Sequence, residues 1–272
     1  MKALFLFHDD PLQFLKADWA AARYPFDGFI VITKERAWWG EYLWKRARRL
    51  GFAKVLDEVL LRLYWVLFKG ASDRRHMRKL MEELRNELPG DYKRPPVHRV
   101  YSVNSRESVD LLKRLQPDVC VLMVSQILSK AVFSLPRLGM LVYHPGLTPE
   151  YRGPHSAFWA TLNREFWGIG WSLLRVDPGI DTGPVIAQGS AKSVDPLRES
   201  HVIMQHKSHA EGLAGVVQAL RQLERGESPR VSMNGRREGY YTHPGLTDYL
   251  KLRRVLKTLR DKAAEEAAGR PS

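Results

Sequence analysis

Residues 116–153 read QPDVCVLMVSQILSKAVFSLPRLGMLVYHPGLTPEYRG, and residues 176–188 read VDPGIDTGPVIAQ. In the first stretch, VCVLMV (119–124) is a continuous apolar run entered through Pro117-Asp118, which predicts a buried strand. GMLVY (139–143) reads as the next strand and delivers His144 directly. A Pro-, Gly- and Arg-bearing loop follows, then an aromatic segment expected to be helical over about 155–164. In the second stretch, Asp177 and Asp181 stand in a glycine-rich loop between apolar runs at 168–176 and 184–188. A histidine and a carboxylate, each on a loop leaving a strand, are what proton-transfer chemistry needs.

Outward from this centre, ALFLF (3–7) and GFIVIT (28–33) read as buried strands flanking a helix at 12–24. Strand, helix, strand at this spacing is a βαβ unit, so the expected class is α/β with a mostly parallel sheet. DYKRPPVHRV (91–100) predicts a linker running into a short strand, and 103–115 a helix capped by Ser or Asn. A single long helix is expected over 199–224, then a short hairpin and a charged helix over 247–268, with AAGRPS frayed at the end. The pentapeptide HPGLT occurs at 144–148 and again at 243–247; with no similarity around it, it reads as coincidence.

Residues 36–90 differ from the rest. They hold no strand-like run, and Leu56, Val59, Leu60, Leu63, Val66 and Leu67 fall at helical spacing. A second helix is expected from Asp73 to Leu88, stopped by Pro89-Gly90. The segment reads as a helical insertion in a domain spanning 1–225, with 226–272 a short extension. Trp38, Trp39, Trp44 and Trp65 beside Lys and Arg fit a membrane surface, packing on the chain's own domain, or a homodimer contact.

Composition narrows the classes. The chain has 272 residues, 44% of them hydrophobic, which excludes a wholly disordered protein. One cysteine, Cys120, excludes a disulfide framework and a thiolate metal site, and argues for a reducing, cytoplasmic compartment. It lies in an apolar run and reads as a core thiol. The net charge of +13 admits nucleic acid, anionic lipid or an anionic metabolite as partner. Basic residues concentrate at 34–54, 69–79 and 251–260, away from 144–188, so they read as peripheral to the chemistry. MKALFLFHDDP is too short for a signal-peptide core, and VLLRLYWVLF (59–68) is too short to span a bilayer. A GxGxxG fingerprint and a P-loop are absent, so NAD and ATP are not suggested. His201, His206 and His209 share a helix without carboxylate or cysteine partners in sequence, so no metal site is expected.

The two quoted stretches, in this order and spacing, closely resemble the folate-dependent formyltransferases, specifically from about Pro117 to Gln188. The resemblance implies a Rossmann-like domain that binds 10-formyltetrahydrofolate and passes its formyl group to an amine. It implies catalytic roles for His144 and Asp181. It places Ser125, Gln126, Ile127, Leu128, Asp177, Gly179 and Ile180 in folate-binding loops, although Ile127 and Leu128 read more readily as simple core. It places Tyr143, Thr148, Arg152, Gly153 and His155 on the substrate side. Arg152 fits a contact to an anionic substrate and a structural ion pair equally well, and His155 also reads as a plain helix-start residue. Gly179, Ile180, Thr182 and Gly183 are expected to shape the Asp181 loop, with glycine supplying close approach and positive φ.

One position departs from the family. The family carries an asparagine two residues before the histidine, where this chain has Val142. Losing one such donor costs about 10²–10³ in rate. Three explanations stand open: a replacement donor among Tyr143, Ser125, Gln126, Thr148 and His155; a different transferred group or a more reactive acceptor; or a ligand-binding relative without activity. Hydrolysis of 10-formyltetrahydrofolate is a further alternative. About 50 residues follow the helix ending near Arg225, too few for a tRNA-gripping barrel, so tRNA is not the expected acceptor. A small amine is expected instead, on an amino sugar or nucleotide-linked sugar.

Overall fold

The computed structural model describes residues 1–33 and 39–268. Seven strands form one sheet: β1 (Ala3–His8), β2 (Gly28–Ile32), β3 (Val97–Val100), β4 (Val119–Met123), β5 (Met140–His144), β6 (Gly170–Arg175) and β7 (Val185–Ser190). Their order is β3-β2-β1-β4-β5-β6-β7. The first five are parallel, and β6 and β7 are antiparallel additions at one edge. The order reverses between β1 and β4, which opens a crevice beyond their carboxyl ends.

β1, β2 and β4 are buried on both faces, which is why they read as unbroken apolar runs. Alternate residues feed two clusters. Phe5, Phe7, Val121, Leu141 and Tyr143 face one cluster, with α1 (Pro11–Ala21) and α9 (Leu213–Glu224). Leu4, Leu6, Cys120, Leu122 and Met140 face the other, covered by α5 (Arg106–Leu115) and the short α6 (Lys130–Phe133). Cys120 is buried there, and burial pushes its thiol far above the ordinary range.

The segment between β2 and β3 holds α2 (Trp39–Leu50), α3 (Phe52–Tyr64), a π-helical turn (Trp65–Lys69) and α4 (Gly70–Asn86). Only α2, α3 and the turn are additional to the sheet's own packing. Leu80 and Leu84 of α4 sit in the main cluster beneath β1 and β2, so α4 is the crossover that a parallel β2–β3 pair requires. Trp38 and the final residues 269–272 lie outside the described residues.

Two expectations change. The helix expected over 199–224 is two, α8 (His201–Glu211) and α9, joined at Gly212. A Cβ on Gly212 would overlap both the Trp171 ring and the Tyr143 hydroxyl, so only glycine fits where the two helices join. The hairpin expected after residue 226 does not form. That stretch returns to the loop after β5, where Gly239 N–H donates to the Pro149 carbonyl and Tyr241 N–H to the Arg152 carbonyl. Arg236 pairs with the buried Glu150 at 2.6 Å, fixing the same segment. α10 (Leu246–Ala268) then packs on α3 and on α7 (Ser156–Leu162), with Leu61, Phe158, Tyr249 and Leu252 in one cluster.

Candidate active site

His144 is the last residue of β5, so its position is fixed by the sheet ladder: it pairs with Ser172 of β6. Met140, Val142 and His144 share one face of β5, and Tyr143 takes the other. The β6–β7 loop crosses the first face. Val176 packs on the same cluster as Met140, and the loop then rises to bring Asp181 to His144. Asp181 Oδ2 lies 3.5 Å from His144 Nδ1 and accepts the Gly153 N–H at 3.1 Å. The other ring nitrogen, Nε2, lies 2.9 Å from the Tyr151 carbonyl oxygen. A carbonyl only accepts, so Nε2 carries a proton and donates. A second proton, on Nδ1, therefore makes the ring a cation facing a carboxylate. Both side chains are largely buried, His144 at 6% and Asp181 at 15% exposure, where such a pair is little screened.

The loop geometry has its own cause. Asp181 itself holds the left-handed backbone, at φ 53°, a conformation that aspartate tolerates better than most side chains. Gly179 and Gly183, expected to supply positive φ, instead permit close approach: side chains there would meet Thr182 Oγ1 and the Arg175 carbonyl. Asp177 Oδ1 accepts from Gly179 N–H at 3.0 Å and from the Thr182 hydroxyl at 2.7 Å. Its carboxylate thus ties its own loop.

The β4–α6 loop carries the other four expected folate-side residues. Ser125 is tied to β1: its hydroxyl lies 3.0 Å and its N–H 3.1 Å from His8 Nε2, across the point where strand order reverses. Gln126 Oε1 accepts from Ser102 Oγ and Val103 N–H. Leu128 packs on the same cluster as Val176. Ile127 is 71% exposed and is not core. Ile127 and Ile180 thus stand exposed on two loops rooted in one cluster.

The substrate-side residues separate. Gly153 joins the His144–Asp181 pair directly, with φ 89°, and a side chain there would strike the Tyr241 carbonyl. Arg152 ion-pairs with Glu238 at 3.1 Å. Thr148 is buried; its N–H donates to Ser172 Oγ, and its hydroxyl has no partner among the described residues. Tyr143 lies on the opposite face from His144, stacked on His209 at 4.3 Å, with its hydroxyl given to the His209 carbonyl. It is therefore no replacement for the missing amide. His155 starts α7 in the left-handed region, and its Nε2 lies 3.2 Å from His243 Nδ1. Burial, then the charge of His243, holds it down to about 4. His201 stands beside it, pushed down to about 3 by burial. No group of three His, Cys, Asp or Glu among the described residues is arranged to hold a metal.

Sequence reasoning missed several neighbours. Tyr240, 50% exposed, flanks Gly153, 3.3 Å from where a Cβ would stand. His8, Glu150 and Arg236 hold the loops around the site, and none lies near its partner in sequence. Only His8 carried a signal, as the last residue of a strand destined to lie beside the strand before Ser125.

The chain is similar to known proteins in sequence and in fold. A methionyl-tRNA formyltransferase from Methylacidiphilum infernorum is 32% identical over 142 residues, which is 51% of this chain and 43% of that protein. The human cytosolic 10-formyltetrahydrofolate dehydrogenase is 33% identical over 107 residues, 39% of this chain and 12% of that protein. The chain spans under half the length of both. A sugar N-formyltransferase from Shewanella shares the fold with TM-score 0.54 at 13% identity, covering 94% of this chain and 88% of that one. A phosphoribosylglycinamide formyltransferase from Streptococcus pneumoniae does so with TM-score 0.50 at 16% identity, covering 82% and 99%. The family model described as formyl transferase matches residues 72–220, more than half of the chain and inclusive of β4, His144 and the Asp181 loop. On that match the chain belongs to the formyl transferase family.

Proposed function

We propose that the chain transfers a formyl group from 10-formyltetrahydrofolate to the amine of a small acceptor, an amino sugar or nucleotide-linked sugar, with His144 and Asp181 as the catalytic pair. The observation that carries this reading is the buried Nδ1–Oδ2 approach of 3.5 Å on the Val142 face of β5. Acyl transfer to an amine needs a proton acceptor for the amine and a positive group beside the oxygen that gains charge. Asp181 and His144 together offer both: the carboxylate accepts the proton of the attacking amine and shares it with Nδ1 of His144, which is positive while it holds it; as the new C–N bond forms and the bond from the formyl carbon to the folate nitrogen breaks, that proton passes to the departing nitrogen of tetrahydrofolate. Burial keeps bulk water from the pair.

The loops suit a folate. Ile127 and Ile180 present apolar side chains from two loops of one face, and Ser125, Gln126 and Asp177 turn their polar atoms inward to hold those loops. When bound there, 10-formyltetrahydrofolate supplies the activated formyl group. The exposed Tyr240 ring beside Gly153 is a stacking surface for a sugar or base, which favours that acceptor class. Tyr143 and Ser125 spend their hydroxyls on the protein, and His155 sets its Nε2 against His243. The Thr148 hydroxyl is unpaired but buried, so none of these four side chains takes the place of the asparagine that Val142 displaces.

The test is incubation with 10-formyltetrahydrofolate and a panel of amines, amino sugars and nucleotide-linked amino sugars included, following tetrahydrofolate release. Release that depends on one acceptor class supports the proposal. Folate binding with no release under any acceptor overturns the enzymatic reading, and equal release without acceptor makes the protein a hydrolase.

A further inference from the structure

Helix α3 has two apolar faces. One, with Leu61 and Tyr64, packs on Phe158, Tyr249 and Leu252. The other points outward. Phe52, Leu56, Leu60, Leu63 and Leu67 follow one another at steps of four, four, three and four, the spacing of a single helical stripe. All are exposed, Leu67 at 72%. In the π-helical turn, Val66 and Phe68 on either side of Leu67 are 67% and 69% exposed as well. Single exposed apolar residues are ordinary on a protein surface; a continuous stripe marks a surface that something covers.

Charge identifies the cover. Over residues 39–86 the sequence has 12 Lys and Arg against 6 Asp and Glu. Three of those acids are tied to partners within the protein, and so are two of the bases, Arg46 and Lys54. Asp57 accepts from Thr247, Glu58 pairs with Arg46, and Asp73 accepts from Trp65 and Ser200. Arg48 and Arg49 of α2 and Arg74, Arg75 and Arg78 of α4 are exposed. Trp44 ties the rim to the stripe, its ring 5.8 Å from Phe52, with the Arg48 guanidinium 5.8 Å over it. A second copy docking by two-fold symmetry would set this basic rim against itself. An anionic bilayer is its complement, and an apolar stripe bordered by cations is how a helix lies in a headgroup layer. Among the described residues no helix is long and apolar enough to cross a membrane, so the contact is one of lying on the surface.

We infer that α3 and the turn after it dock on an anionic lipid surface, with the Phe52–Leu67 stripe at the acyl boundary and the flanking arginines on headgroups. The test is flotation of the full chain with vesicles of phosphatidylcholine alone and of phosphatidylcholine with an equal part of phosphatidylglycerol. The expected result is binding to the anionic vesicles only, with a blue shift of tryptophan emission and release as salt rises to about 1 M. Leu56→Ser/Leu63→Ser/Leu67→Ser and, separately, Arg48→Glu/Arg49→Glu should each lower binding by about tenfold or more, with circular dichroism unchanged. Failure to bind anionic vesicles overturns the inference. So does a wild-type dimer in light scattering that the triple serine variant dissolves, which would give the stripe to a second copy.

Discussion

At the scale of single residues, the proposed site rests on who holds which proton. His144 donates from Nε2 to the Tyr151 carbonyl and faces Asp181 with Nδ1. Replacing the ring should therefore remove proton transfer without opening the sheet. We predict that His144→Asn lowers turnover by about 10²–10⁴-fold in the tetrahydrofolate-release assay, with the fold retained by circular dichroism and a lower melting temperature of the size that an orphaned Tyr151 carbonyl gives, about 1–3 kcal/mol. Val142 stands on the same face as His144, so Val142→Asn should raise turnover, by up to about 10²–10³-fold if the amide recovers one full donor. An unchanged rate would mean that a resident group already fills that role. The residues most visible in the sequence were those whose place depends on one strand only. His144 was legible because it ends a strand, and Asp181 because glycines and an apolar run bracket it. Tyr143 was misplaced because adjacent residues of a strand point to opposite faces, and the exposed Tyr240 could not be seen because 87 residues separate it from Gly153.

Elements bring these residues together by contacts that the local pattern does not announce. The break between α8 and α9 leaves room for Trp171 and Tyr143 against Gly212, and Trp171 also crowds Gly215. Gly212→Ala should destabilise the fold by about 1–3 kcal/mol, read as a lower midpoint in urea, despite alanine's better helix propensity. Were propensity the deciding term, the variant would be more stable. The segment at 226–245 is held to the loop after His144 by Arg236 on Glu150. Glu150→Gln leaves the guanidinium with a weaker partner and should cost about 1.5–3 kcal/mol. It should also lower turnover, because Pro149 and Arg152, which the same segment binds, flank Tyr151. Helix existence and strand order of appearance were legible from apolar periodicity; the break in the long helix and the missing hairpin were not, because each depends on a neighbour remote in sequence.

Across the whole molecule, buried titratable groups set how stability follows pH. Burial holds His155 at about 4 and His201 at about 3, against about 6.5 in an unfolded chain. With the folded values depressed, the unfolded chain binds more protons in between. The stability these two contribute is therefore complete above about pH 6.5 and is lost as pH falls toward 4 and 3, at about 1.4 kcal/mol per unit for each group. A melting temperature independent of pH from 6.5 to 4 would contradict this. Lys16 is 1% exposed, 3.4 Å from His206, and burial lowers it to about 7 from 10.5. Charging it near neutrality costs stability, so Lys16→Met should raise the melting temperature at pH 7 and lose that advantage above about pH 10.5. The sequence by itself determined the α/β class, the strands and the His144–Asp181 candidates, because apolar runs, turn residues and a long linear motif are local properties of the chain. The tertiary structure alone decided that α4 is a crossover and not an insertion, that Asp181 reaches His144 across the Val142 face, and that 226–245 returns to the site. Those outcomes come from side chains that meet only when distant segments share one surface, and no period along the chain encodes them.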